Sequence, residues 1–396
     1  MNLLEKTKQI LLNGTEELIG FESVTHKLEN NIPLTIKAGF DPTKADLHLG
    51  HAVLLFKLKQ LQDIGHEINI IIGDFTASIG DPTGKNVTRK QLSLSETSSN
   101  GETYAQQSLK ILSPETKIFN NSTWLNKLSS IELIKLSANY TVARMLERDD
   151  FKKRFKSNNS ISIHEFMYPL LQGYDSVILK SDIELGGTDQ KFNLLVGRQL
   201  QKNYKVNMQA IATLPIIPGT DGKNKMSKSL DNHISLTLEA SEMFAKIMSI
   251  NDIMMWEYYI ALGFKTKNEV SELKIEVENG LNPRDVKIEL ALKIVSTLHS
   301  ETKSKIALEN FINRFQKKQT PKEIKTIKLE YKDNYFLVNL IKDTGLVAST
   351  SQVRRLIKQG AVRVNSVKIQ EVDHVIKANK TFLLEVGKKN IINIAF

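Results

Sequence analysis

Through about Ile234 the chain alternates short apolar runs with longer stretches in which apolar residues recur at helical spacing. The runs 67–72 (EINIII), 117–119 (KIF) and 209–214 (QAIATL) read as strands. Strands alternating with helices build βαβ units around a parallel sheet, and such sheets hold ligands beyond the C-terminal ends of their strands. From about Ala240 to Lys318 the strand signal disappears, and 242–249, 283–298 and 302–316 carry apolar residues at helix period. The stretch 317–334 (KKQTPKEIKTIKLEYKDN), dense in charge and containing Pro321, reads as linker. Beyond it FLVNLIKDTGL and SQVRRLIKQG read as two short helices around a stop at Gly345, followed by β-type segments at 361–364, 381–386 and 391–395. The opening 23 residues, with Glu5, Glu16 and Glu17 interrupting the apolar positions, predict an amphipathic helix rather than a signal peptide. The pattern thus predicts an α/β fold in three parts: a parallel-sheet domain over 1–235, an α-helical domain over 236–325, and, after a linker at 326–335, a small α+β domain over 336–396.

Composition narrows the chemistry. The 396 residues contain no cysteine, which excludes a disulfide framework, a thiol nucleophile and any Cys-ligated zinc or iron–sulfur site. The eight histidines form no H-E-x-x-H pair, so no protein-held metal is expected. No apolar run reaches the ~18 residues that span a bilayer, and a soluble, cytoplasmic protein without membrane contact is the expectation. The formal net charge is +10, and residues 335–396 hold ten Lys and Arg against four Asp and Glu. A field of that sign favours polyanions such as nucleic acid, and its concentration in the last 62 residues points to a basic C-terminal module.

Two strings carry chemistry. In D-P-T-K-A-D-L-H-L-G-H (41–51) a turn-rich half runs into the helical pattern AVLLFKLKQLQDIG, placing His48 and His51 at a helix N-terminus, where unpaired N–H groups and the dipole attract phosphate. Gly50 would let a ligand approach the backbone. The plain alternative is that His48 caps the helix and His51 packs. The second string, P-G-T-D-G-K-N-K-M-S-K-S (218–229), is a cationic loop after a strand-like run, and its ammonium groups could neutralise a leaving pyrophosphate; a solvated lysine-rich loop is the alternative. A third feature lies in the helix pattern 164–179, where Tyr168, Gln172 and Asp175 share one face among apolar neighbours. A carboxylate with a phenol and an amide suits a small zwitterion bearing a hydroxyl.

Together HLGH and KMSKS resemble the signatures of the class I aminoacyl-tRNA synthetases. The strings Y-P-L-L-Q-G-Y-D (168–175), G-F-D-P-T (39–43), T-A-S-I-G-D-P-T-G-K (76–85) and G-G-T-D-Q (186–190) resemble the bacterial tyrosyl-tRNA synthetase family over essentially the whole chain. The resemblance implies a Rossmann-like catalytic domain that activates L-tyrosine with ATP and passes it to tRNA(Tyr). It implies that Tyr168, Gln172 and Asp81 hold the substrate ammonium, Asp175 the phenol hydroxyl, and Gln190 the region near the carboxylate. It further sets Gly39, Asp41, Gly50 and Asp189 against the nucleotide. His48 and His51, with Thr43, then face the reacting phosphate. Lys225 and Lys228, with Met226, Ser227 and Ser229 of the same loop, face the pyrophosphate. Magnesium would accompany ATP, held by phosphates and water. Family members are two-fold dimers, so a homodimer is implied.

One position departs from the pattern. Many bacterial members carry a tyrosine two residues before G-F-D-P, paired with the helix aspartate on the substrate hydroxyl; here it is Lys37, which could donate to the phenol oxygen or pair with Asp175. Tryptophanyl enzymes are the nearest relatives in kind, but a carboxylate at position 175 would have no purpose against an indole. The segment 336–396 resembles the small S-four-like RNA-binding domain, with Arg354, Arg355 and Lys358 on one helix and Arg363 on the strand that follows. Two readings outside this family stay open at this point: a nucleotidyltransferase using the same H-x-G-H turn, and a non-enzymatic RNA-binding protein on the same fold.

Overall fold

A computed structural model describes residues 1–81, 94–315, 326–329, 334–347, 349–377, 381–387 and 390–396. The last four residues of the 76–85 string, and 317–325 and 330–333 of the expected linker with Pro321, lie outside the described residues. The chain divides into two compact units, Met1–Leu308 and Glu309–Phe396.

In the first unit six strands, β1 (Glu17–Ile19), β2 (Thr35–Phe40), β3 (Glu67–Ile72), β4 (Lys117–Asn120), β5 (Ile183–Gly187) and β6 (Ala210–Leu214), form one sheet in the order β1-β6-β5-β2-β3-β4. All neighbours are parallel except β1, which closes the edge antiparallel to β6. The reason is legible in composition: β6 is buried at every position and β3 at all but its first, as strands covered by helices on both faces must be. The order reverses between β2 and β5, the switch point where open parallel sheets bind ligands.

The opening segment departs from the expected single helix. Leu3–Leu12 is helical, but Asn13 caps it and Gly14 takes a left-handed φ of +69°, with the carbonyl of Ile260 so close that a Cβ would sit 2.4 Å from it. The chain then turns into β1, because Leu18 and Ile19 satisfy their backbone groups on β6. The helical stretch over 240–298 remains inside the first unit: Tyr258 donates to the carbonyl of Pro218, and Gln60 donates to that of Gly263.

The second unit corrects the expected linker at 326–335. Thr326–Lys328 is a strand, β7, running parallel to the last strand of the chain, and Asn334–Phe336 is another, β8. With β9 (Val362–Val364), β10 (Val367–Ile369), β11 (Val375–Lys377), β12 (Phe382–Val386) and β13 (Asn390–Ala395) they form a sheet of order β10-β9-β12-β13-β7 and a β11–β8 pair. Helices Leu337–Asp343 and Thr350–Lys358 pack Leu340, Ile341, Val353 and Ile357 against Leu384 and Ile394 of that sheet. Dense charge concealed β7 because only Ile327, of its three residues, faces inward.

Candidate active site

The C-terminal ends of β2, β3 and β5 open onto a cavity of about 370 Å³. His48 is the N-cap of the helix Leu49–Asp63: its Nδ1 accepts from the Gly50 N–H (3.2 Å), while its own N–H donates to Nδ1 of His51 (3.1 Å). Both backbone contacts use Nδ1 as acceptor, so in each neutral ring the proton sits on Nε2, available as a donor. The rings lie 3.9 Å apart and both line the cavity. His48 thus caps the helix, as the plain alternative has it, and its ring also faces the cleft. Gly50 lines the cavity and has a local purpose as well. A Cβ there would sit 2.9 Å from the His48 ring, so glycine makes room for the cap.

Burial, reinforced by His51, His233 and the loop lysines, holds His48 down at about 2, and burial with Lys228 holds His51 at about 4. Both imidazoles are thus neutral donors at physiological pH. The sign of the linkage follows: the unfolded chain takes up protons on these histidines below about pH 6.5 while the folded protein does not, so stability is lost as pH falls from 6.5 towards 4. Each ring contributes at most about 1.4 kcal/mol per pH unit. Urea midpoints measured between pH 7 and 4.5 should fall less steeply in His48→Gln than in the parent; equal slopes would contradict the assignment.

At the other end, Tyr168, Gln172 and Asp175 of the helix Ile163–Leu179 all reach the cavity, as their spacing predicts. Tyr168 donates to Asp41 Oδ2 (2.8 Å), whose other oxygen accepts from Thr76 (2.8 Å). Burial, with Asp41 beside it, raises the Tyr168 phenol well above its ordinary range, so it stays a donor. Asp81 accepts from Gln190 Nε2 (2.8 Å), and Asn193 bridges Gln190 and Gln172 (3.0 and 2.9 Å). Gln190 therefore belongs to the Asp81 cluster. Arg148, buried against the Phe151 ring, reaches Asp150 (2.7 Å), Asn193 (3.2 Å) and Asp81 (3.5 Å).

Asp175 is fully enclosed. It accepts from Trp124 Nε1 (2.8 Å) and Asn121 Nδ2 (3.3 Å), and burial, opposed by Lys37 and by those two donors, pushes it up to about 7. Lys37 neither lines the cavity nor pairs with Asp175. Its ammonium lies 2.8 Å from Glu184, its direct neighbour across β2 and β5. Of the two expectations for Lys37, the pairing with Asp175 is corrected: the register of β2 against β5 sets Glu184 beside it instead.

Of the cationic loop, Lys225, Met226 and Ser227 line the cavity, with Lys225 3.5 Å from Asp189. Burial raises Asp189 and Lys225 counteracts the rise. Asn232 ties the loop, accepting from the Ser227 N–H and donating to the Lys225 carbonyl. Lys228 and Ser229 do not line the cavity: Lys228 lies 4.0 Å from Asp46, and Ser229 accepts from Lys44. Gly39, Asp41, Thr43 and Gly187 also line the cavity. At Gly39 a Cβ would meet only Ile71 at 4.0 Å, so the backbone there is open to the cleft. Asn121, Trp124, Arg148, Asn193 and Glu184 went unnoticed in the sequence. Asn121 and Trp124 follow the C-terminal end of β4, the place where the topology itself directs attention.

In the second unit Arg354, Arg355, Lys358 and Arg363 are all exposed, carried by the helix Thr350–Lys358 and by β9.

Comparison with known proteins agrees with this geometry. Residues 29–317 match the family described as tRNA synthetases class I (W and Y), and 316–392 match the tyrosine–tRNA ligase SYY-like C-terminal domain. The chain is a class I aminoacyl-tRNA synthetase. The tyrosine–tRNA ligase of Legionella pneumophila (strain Paris) is 51% identical over 97% of this chain and 96% of its own, and that of Francisella tularensis is 49% identical over 100% and 99%. Within the class, then, the chain belongs to the tyrosine–tRNA ligase family. Among solved structures, a C-terminally truncated Aspergillus nidulans mitochondrial tyrosyl-tRNA synthetase superposes with TM-score 0.65 at 21% identity, covering 79% of this chain and 94% of that one. An Archaeoglobus fulgidus tyrosyl-tRNA synthetase complexed with L-tyrosine gives 0.61 at 22% identity, covering 77% and 99%. These two establish the shared fold. Family membership removes the nucleotidyltransferase and the non-enzymatic readings.

Proposed function

We propose that the cavity activates L-tyrosine with ATP and that the activated acyl group passes to the terminal ribose of tRNA(Tyr). The observation that carries this is the arrangement of one cleft with two neutral imidazole donors and Lys225 at one end, and a buried carboxylate on paired donors at the other. The tyrosine carboxylate attacks the α-phosphate in line, and pyrophosphate leaves. No side-chain nucleophile is needed, because alignment and charge neutralisation lower the barrier. His48 and His51 donate Nε2–H to phosphate oxygens whose charge grows in the transition state, and Thr43 adds a hydroxyl. Lys225 neutralises the departing pyrophosphate, and Lys228 joins it when the loop moves. Gly39, Asp41 and Asp189 lie against the nucleotide. Asp81, Gln172 and Tyr168 hold the ammonium, with Gln190 positioned by Asp81, and Asp175 accepts from the phenol hydroxyl.

Magnesium enters with ATP as part of the substrate, held by phosphates and water. The second unit offers its four exposed cations to tRNA phosphates. A second copy of the chain is the partner we assign to the exposed apolar side chains Ile131, Ile134, Val142 and Ile163, which are 62% to 83% exposed. No helix among the described residues is long and apolar enough to cross a membrane, and tRNA charging points to the cytoplasm as the working compartment.

ATP–pyrophosphate exchange measured with each amino acid tests the assignment: tyrosine alone should support exchange. Exchange driven by tryptophan, or by no amino acid, would overturn it.

A further inference from the structure

Against the helix Ile163–Leu179 this chain buries a charge pair, and its geometry gives it a use. Lys37 and Glu184 sit directly opposite each other in the parallel β2–β5 pair, their side chains 1% and 2% exposed, with Nζ 2.8 Å from Oε1. The second oxygen of Glu184 accepts from Ser176 Oγ (3.0 Å) and from the Gln209 amide. Ser176 follows Asp175 on the same helix, and Glu184 and Asp175 both line the cavity. A buried ion pair is a poor stabiliser, because two apolar side chains of similar volume hold a core at least as well. Its position beside Asp175, another carboxylate that lines the cleft, therefore calls for a purpose other than stability.

We propose that the Lys37–Glu184 pair is the specificity-determining element of the phenol end: Lys37 supplies the positive charge that keeps the Asp175 carboxylate ionised as acceptor of the substrate hydroxyl, and Glu184 fixes that charge at one distance. The proposal deepens the tyrosine reading above and rests on it. Among the described residues, few groups face Asp175. Lys37 from β2 favours its ionised form and Glu184 from β5 opposes it. Trp124 and Asn121, from the segment after β4, donate to it. Asp74, on the helix Asp74–Ile79, spends its oxygens on Ser122 and on the Phe75 N–H, and Asp41 is joined to this cluster through Thr76, which accepts from Asn121. Through these contacts either member of the pair biases the charge at Asp175, and with it the preference for a ring bearing a hydroxyl over one without.

The test is the pH dependence of kcat/KM for tyrosine in ATP–pyrophosphate exchange, with the full chain, for Lys37→Met, Glu184→Gln and the double variant. Without Lys37 the carboxylate holds its proton to higher pH, so the ascending limb should move up by about one unit. At pH 7 the KM for tyrosine should rise about tenfold with kcat less affected, and the tyrosine-over-phenylalanine ratio should fall about tenfold. Glu184→Gln should move the limb the opposite way, and the double variant should return it towards the parent. If Lys37→Met does not fold, Glu184→Gln and the double variant decide the matter. Limbs that stay in place, or that move in one common direction, would overturn the proposal, since a purely structural pair predicts no opposed shifts. Asp175→Asn separates the two readings. If it abolishes the limb while the pair variants leave it alone, only the present inference fails; if it leaves the limb untouched, the hydroxyl reading itself fails.

Discussion

Replacing His48 by alanine should lower kcat for tyrosine-dependent ATP–pyrophosphate exchange by about 10²–10³-fold while moving the KM for tyrosine less than threefold. The expectation follows from where the ring sits. Its Nδ1 is occupied by the Gly50 N–H. In the proposed reading its Nε2–H meets charge that develops only as the α-phosphate becomes five-coordinate, and ground-state binding of the amino acid, at the far end of the cavity, does not use it. Burial keeps the ring neutral, so the pH profile of the parent should show no titration from His48 or His51 between pH 5 and 8. A kcat within threefold of the parent would remove His48 from the chemistry and leave it a helix cap alone. His48→Asn keeps a cap acceptor and should restore folding stability without restoring rate, which separates the two duties of the residue.

Ending the chain at Phe315 should leave tyrosine-dependent exchange within about twofold of the parent and cut kcat/KM for tRNA charging by about 100-fold or more. The cavity belongs to the first unit, whereas the four exposed cations lie in the second. In the intact protein the tRNA affinity should fall steeply with salt, and the dependence should flatten when Arg354 and Arg355 are both made alanine. The place of truncation matters. Ending at residue 335 would leave β7 behind, deprived of β13, the strand it pairs with in parallel, and an unpaired β-segment is an aggregation hazard. Equal loss of exchange and charging in the Phe315 truncation would overturn the separation of duties.

Much of this was legible in the chain itself. The parallel sheet follows from short β-rich runs buried on both faces, and the helix Ile163–Leu179 announces its functional face because three polar side chains recur at helical spacing among apolar ones. HLGH announces a helix N-terminus, where unsatisfied N–H groups and glycine have a physical reason to meet. These are local properties, set by spacing along the chain. Three things were not local. Gly14 ends the first helix and Glu17–Ile19 becomes a strand because Ile260 and β6, far along the chain, approach at that point. Charge density disguised Thr326–Lys328 as linker, because what makes it a strand is a parallel partner nearly seventy residues away.

Lys37 is the clearest case. The family resemblance directs the expectation for it to the substrate hydroxyl, whereas its partner in the fold is decided by the register of β2 against β5, which sets Glu184 beside it. Sequence alone determined which chemical groups the site contains and which helices and strands carry most of them. Tertiary structure decided which charge meets which, because pairing across a sheet and the loss of water around a carboxylate depend on neighbours that no local pattern names.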